Sequence, residues 1–154
     1  MNKTDHRYIC FTLGSEKYSI PLLQVREVIA VPEFTRMPHA PAYFKGLLNL
    51  RGTVIATIDL RAKFGFPQKN EEENAVIVCE ADGCVMGALV DQVDFVFKTN
   101  PDELQHDIDT EISMKTDYIH SFYNHKSGLI IILDLKKVLN VRDVQHIKQP
   151  SKVA

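Results

Sequence analysis

Through most of the chain, apolar and polar residues alternate at a period of two, the pattern of half-buried strands. Ile9, Phe11 and Leu13 alternate with Tyr8, Cys10 and Thr12, residues 14–17 read as a turn, and Tyr18 to Ile20 return the chain. Pro21 is placed to open a single helical turn through Leu22, Leu23 and Val25. Residues 25–31 are β-branched and aliphatic and resume as strand. Pro32, Pro38 and Pro41 then punctuate a connection, with a second single helical turn expected over 41–44. Residues 44–61 read as strand, two-residue turn, strand and helix start. Leu48 and Leu50 flank Asn49, Arg51-Gly52 breaks the run, and Val54, Ala56, Ile58 and Leu60 share one face. Asp59 is positioned to cap a short helix over 60–64, which Gly65 ends.

After a polar, acidic connection at 68–74, the pattern begins again. Residues 76–80 and 84–90 form a hairpin across Asp82-Gly83, a strong turn signal between apolar runs. Gln92-Val93-Asp94-Phe95-Val96 echoes Gln24-Val25-Arg26-Glu27-Val28, and the run 129–135 echoes 54–60, each ending in Asp-Leu. Two copies of hairpin, strand, hairpin and Asp-Leu helix predict two related small β barrels. Residues 129–133 are apolar at every position, so both faces of that strand are expected to be covered. Residues 98–117 read as a helical turn followed by an exposed loop, and 141–154 as a short helix and loose tail.

A chain of 154 residues accommodates one domain or two small intimate ones. A net charge of −2 offers no basic footprint for nucleic acid. No apolar run approaches the length of a membrane span, and no apolar core of a signal peptide follows the first residues, so direct membrane insertion is not expected. The three cysteines, Cys10, Cys79 and Cys84, are an odd number embedded in strand-like runs, which suits a reducing cytoplasm.

Candidate chemistry is sparse. Asp59 and Asp134 each sit where a strand becomes a helix, and capping accounts for both, so no catalytic pair is expected. The six histidines lack metal-ligand spacing, and no glycine-rich phosphate loop is present; no metal, cofactor or enzymatic activity is expected. Arg51 is the conspicuous charge, lying in an apolar hairpin. It either reaches solvent from its turn or pairs with Glu27, the one carboxylate inside the apolar 25–31 strand. Val25 and Val28 read by default as core, and Gly46 as a turn residue.

The run Gly46-Leu47-Leu48-Asn49-Leu50-Arg51-Gly52, followed by Ile58-Asp59-Leu60-Arg61, resembles the signature of the CheW-like domain family of bacterial chemotaxis. Tyr18-Ser19-Ile20-Pro21, Val25-Arg26-Glu27-Val28-Ile29 and Pro38-His39-Ala40-Pro41 resemble further motifs of that family, in the family's order. The resemblance covers roughly residues 7–140. It implies an all-β fold with short helices: two intertwined five-stranded β-barrel subdomains, near 7–68 and 75–140, around a shared hydrophobic core, with room for strand exchange. It further implies a cytoplasmic adaptor without catalytic activity, coupling the cytoplasmic tips of methyl-accepting chemoreceptors to the histidine kinase CheA through that kinase's own CheW-like regulatory domain. An adaptor of a non-chemotactic array, such as one for surface motility, is the alternative. Weak self-association through exposed sheet edges is a further expectation. By the same resemblance, Val25, Glu27, Val28, Gly46 and Arg51 border the receptor-binding groove, Glu27 and Arg51 form an ion pair beside it, and Gly46 is small because something approaches its backbone closely. The chain departs from the family pattern at Ala56-Thr57, where a proline is frequent, and at Ser121-Phe122, where Tyr-Ile-x-Gly is usual after Tyr118-Ile119-His120.

Overall fold

In the computed structural model the described residues are 5–67, 74–106 and 116–139. Residues 68–73 of the connection, residues 107–115 of the 98–117 loop and the tail expected over 141–154 lie outside them. The alternating segments form ten strands: β1 (Arg7–Leu13), β2 (Glu16–Pro21), β3 (Val25–Ala30), β4 (Phe44–Leu50), β5 (Thr53–Asp59), β6 (Ala75–Ala81), β7 (Cys84–Val90), β8 (Gln92–Lys98), β9 (Ile119–His125) and β10 (Gly128–Leu133). Two short helices, α1 (Leu60–Lys63) and α2 (Leu135–Leu139), follow β5 and β10. Asp59 caps α1 by accepting from the amides of Arg61 and Ala62. A 3-10 turn occupies Leu22–Gln24, as Pro21 leads one to expect. The helical turn expected at 41–44 is instead a tight turn, closed by the Phe44 amide donating to the Pro41 carbonyl at 3.0 Å.

The β4–β5 and β6–β7 turns carry positive φ at both residues. Arg51 and Gly52 stand at 51° and 89°, and Asp82 and Gly83 at 52° and 76°. Such turns match the right-handed twist of their strands. They fix the registers Leu50↔Thr53 and Ala81↔Cys84.

The strands make two five-stranded sheets, ordered β8-β1-β2-β10-β9 and β3-β6-β7-β5-β4. Each sheet joins the first hairpin of one half of the chain to the third strand and last hairpin of the other half. The junctions are parallel, β2 with β10 and β5 with β7, whereas the hairpins are antiparallel. The two orders are copies of one another, so the duplication read from the sequence is present in the topology.

The sheets are not closed into barrels, contrary to the expectation from the sequence; the all-β class stands. The outer backbone edges of β4 and β9 are already occupied. Thr35 and Leu47 exchange two backbone hydrogen bonds of 2.8 Å, and Gln105 and Phe122 exchange a pair at 2.9 and 2.8 Å. The end strands of each sheet therefore meet through side chains. On β8, Phe95 and Phe97 stack on His125 and Tyr123 of β9, with ring centroids 4.9 and 5.4 Å apart. In the second sheet, Glu27 of β3 reaches Arg51 beyond the end of β4.

This curling creates three apolar clusters. The shared core takes Phe11, Leu13, Tyr18 and Ile20 from the first sheet, Ile58, Ile77, Met86 and Val90 from the second, and Leu60, Leu135 and Val138 from the helices. A smaller cluster fills the curl of each sheet: Tyr8, Cys10, Phe97, Ile130 and Ile132 in one, and Leu48, Ile55, Val76, Val78 and Leu89 in the other. The all-apolar β10 is thereby covered on both faces, except that Leu129 at its start is 47% exposed. Burial of this kind is worth roughly 25 cal/mol per Å² of apolar surface.

Candidate functional site

Glu27 and Arg51 meet although Glu27 lies on one end strand of the sheet, β3, and Arg51 in the turn that follows the other end strand, β4. The ladder between β3 and β6 shifts register between Val25 and Glu27, a bulge that re-aims the side chains beyond it. Arg51 occupies a left-handed turn position, where the Asn49 side chain accepts the Gly52 amide at 2.8 Å and holds the loop. From there its guanidinium forks onto the carboxylate. Nη1 donates to Oε1 at 3.3 Å, and Nη2 makes a shorter bond to Oε2. A two-pronged contact fixes orientation as well as attraction. The bond to Arg51 holds the Glu27 carboxyl below its ordinary range and raises Arg51 further, so both are charged at neutral pH.

The other expected site residues fall in different places. Val28, one residue along β3, is 43% exposed and points to the face opposite Glu27. Val25 is half-buried and packs against the shared core. Gly46 is buried with φ of +145°; a Cβ there would lie 2.8 Å from the Thr35 carbonyl oxygen and 3.0 Å from Cβ of Phe34. In this structure the backbone that crowds Gly46 is the chain's own crossing segment. The structure thus brings Glu27 and Arg51 together at the surface, and places Val28 on the other face of β3, Val25 against the shared core and Gly46 under the crossing segment.

Sequence reasoning missed a second ion pair. Arg61, the last residue of the Asp-Leu-Arg run, donates from Nη1 to Oδ2 of Asp91 at 2.5 Å. Its Nε and Nη2 donate to the Pro67 carbonyl, and the guanidinium lies 5.9 Å from the Phe66 ring centre. The same Asp91 oxygen accepts the Gly14 amide at 2.8 Å. The pair therefore ties α1 to the β1–β2 turn and to the β7–β8 junction, joining the two sheets. Its available signal was a lone aspartate closing the apolar run 84–90, matched to an arginine that the capping reading of Asp59 left unused.

Chemistry at the remaining candidates is muted. Burial pushes the thiols of Cys10 and Cys79 up to about 12, which keeps them protonated and unreactive. Among the described residues no group of three or more metal-ligating side chains converges, and no helix is long and apolar enough to cross a membrane.

Two curled five-stranded sheets around one shared core, with a charged fork on an open sheet edge, define an all-β scaffold domain. The CheW-like domain matches residues 7–143, and the chain belongs to that family, whose proteins are chemotaxis adaptors and scaffolds. Among relatives, the chemotaxis protein CheW of Klebsiella aerogenes is 29% identical over 146 residues, covering 94% of this chain and 88% of that protein. The chemotaxis protein CheW of Treponema pallidum is 24% identical over 152 residues, covering 96% and 89%. The crystal structure of the scaffolding protein TtCheW from Thermoanaerobacter tengcongensis superposes with a TM-score of 0.82 at 25% identity, over 91% of this chain and 96% of that one.

Proposed function

We propose that this protein couples the cytoplasmic tips of methyl-accepting chemoreceptors to the histidine kinase CheA. Its work is geometric: it raises the local concentration of one partner near the other and fixes their orientation, so that a shift in the receptor alters kinase output. No catalytic step is assigned to it, and its place is the cytoplasm at the periphery of receptor arrays.

The observation that carries the reading is the exposed Glu27–Arg51 fork on an open sheet edge in a chain of the CheW-like domain family. Glu27 and Arg51 offer a receptor helix an anion and a cation in fixed orientation, and Val28 offers exposed apolar surface on the other face of β3, which suits a helix laid against a groove. Val25 and Gly46 act from beneath, Val25 by packing under β3 and Gly46 by letting the Phe34–Thr35 segment cross β4. The regulatory domain of the kinase, itself CheW-like, docks elsewhere on the surface, and weak self-association uses the same like-on-like contact. Titrating the purified chain with a receptor-tip peptide and with a kinase regulatory domain tests the reading. Saturable binding to both is expected. Binding to neither would move the protein to another signalling array.

A further inference from the structure

The segment that follows β8 runs to the outer edge of β9 and is braced along the way. The Thr99 amide donates to the His6 carbonyl at 3.0 Å, a 3-10 turn occupies Pro101–Glu103, and Leu104 packs into the cluster that fills the curl of the first sheet. Gln105 then exchanges its two backbone hydrogen bonds with Phe122. This bridge sets the next residue, His106, beside β9.

On β9, Ser121 pairs with Ile132 and Ile119 with Leu133, so His120 is the extra residue of a bulge. A bulge re-aims the side chain that it carries. The imidazoles of His106 and His120, fourteen residues apart in the chain, meet edge to face at the surface with ring centres 5.4 Å apart. His120 is oriented from beneath: its Nδ1 shares a 2.9 Å hydrogen bond with Oγ of Ser121, a fully buried residue. That leaves its Nε2 as the nitrogen without a hydrogen-bond partner among the described residues. Ser121 and Phe122, where the chain departs from the family pattern, thus have a local use: one orients His120, and the other anchors the bridge that positions His106.

This separation fits a shared metal ion. An ion about 2.0–2.1 Å from a ligating nitrogen stands about 3.2 Å from the ring centre, so two imidazoles at a tetrahedral angle have centres roughly 5.2 Å apart. A ligating histidine commonly donates its other ring N–H to an oxygen, which fixes the tautomer, and Oγ of Ser121 is placed to accept it. We infer that His106 and His120 form a binding site for a divalent transition-metal ion of the zinc class, with water completing the coordination shell. Imidazole nitrogens suit such ions, whereas Mg²⁺ prefers oxygen. The bound ion ties the segment after β8 to β9. This pair belongs to the first sheet and the Glu27–Arg51 fork to the second, so the inference stands independently of the proposed coupling function.

Zn²⁺ and Mg²⁺, each added to the isotope-labelled full chain, test it by imidazole and amide chemical shifts. Zn²⁺ is expected to give saturable shifts centred on the His106 and His120 rings and on the amides of residues 105–106 and 119–122, and Mg²⁺ to give none. Zinc affinity should fall about tenfold or more in His106→Gln and in His120→Gln, and about tenfold in Ser121→Ala. Both histidines are exposed, so their variants keep the wild-type spectrum elsewhere. Shifts that do not saturate, that centre on other histidines, or that persist unchanged in both histidine variants would overturn the site and leave a ring contact only. Equal shifts with Mg²⁺ would overturn the imidazole ligation. Unchanged affinity in Ser121→Ala would overturn the orienting role of that hydroxyl.

Discussion

Arg51–Glu27 and Arg61–Asp91 are both arginine–carboxylate contacts, and their surroundings differ sharply. The side chains of the first are 69% and 33% exposed, those of the second 13% and 7%. The first joins two sheet ends that water also reaches. The second gathers a helix, a turn and a strand junction around one covered aspartate. Stripping a partner from the exposed pair leaves a charge that water resolvates. Stripping one from the covered pair leaves an arginine or aspartate without its counterion in a poorly solvated place. Similar chemistry thus serves stability at one site and leaves the other free for recognition.

The largest effect expected from this contrast belongs to Asp91→Ala. It abandons Arg61 and the Gly14 amide together and should cost about 3–5 kcal/mol in urea unfolding. A loss below about 1 kcal/mol would erase the distinction between the pairs. Next comes Gly46→Val, which forces a side chain onto Phe34 and Thr35 at a φ that suits glycine. A cost of about 2–3 kcal/mol is expected, read as a lower unfolding midpoint. Neutrality there would show that the crossing segment moves aside easily. Smaller and opposite in sign is Thr57→Val, since the Thr57 hydroxyl is buried without a hydrogen-bond partner. A gain of about 1 kcal/mol in thermal or urea unfolding is expected, and a loss would reveal a partner for that hydroxyl.

Smallest of all is the pH response of the exposed pair. The Glu27 carboxyl is held low in the folded chain, so whatever it contributes is complete above the ordinary carboxylate range and is lost only as pH falls through its depressed value. A carbon-detected titration of Glu27 should show no protonation between pH 6 and 8, and receptor binding should be flat across that window. A midpoint at or above the ordinary glutamate value would show that the fork does not persist in solution.

How much of this was visible in the residues follows from the range of each interaction. Alternation, the Arg51-Gly52 and Asp82-Gly83 turns and the Asp59 cap are local, and each lies where the pattern indicates. The duplication was legible as well: Gln24–Val28 and Gln92–Val96 fall at β3 and β8, and the two Asp-Leu runs close β5 and β10. What the sequence hides is partnership at a distance. Nothing in β1 or β2 announces that they pair with strands of the other half. The occupied edges of β4 and β9, which keep the sheets open, depend on single bridges from Thr35 and Gln105. Arg61 and Asp91 are 30 residues apart and share no periodicity. Gly46 was legible as a place of close approach, but the neighbour in this structure, Thr35, belongs to the chain itself.

The sharpest test combines two readouts on one variant, Arg51→Ala, measured against the unsubstituted chain: affinity for a receptor-tip peptide and midpoint of urea unfolding. With the exposed fork serving recognition, affinity should fall at least about tenfold while the midpoint stays in place. Undiminished binding, or affinity and midpoint falling together, would contradict that assignment.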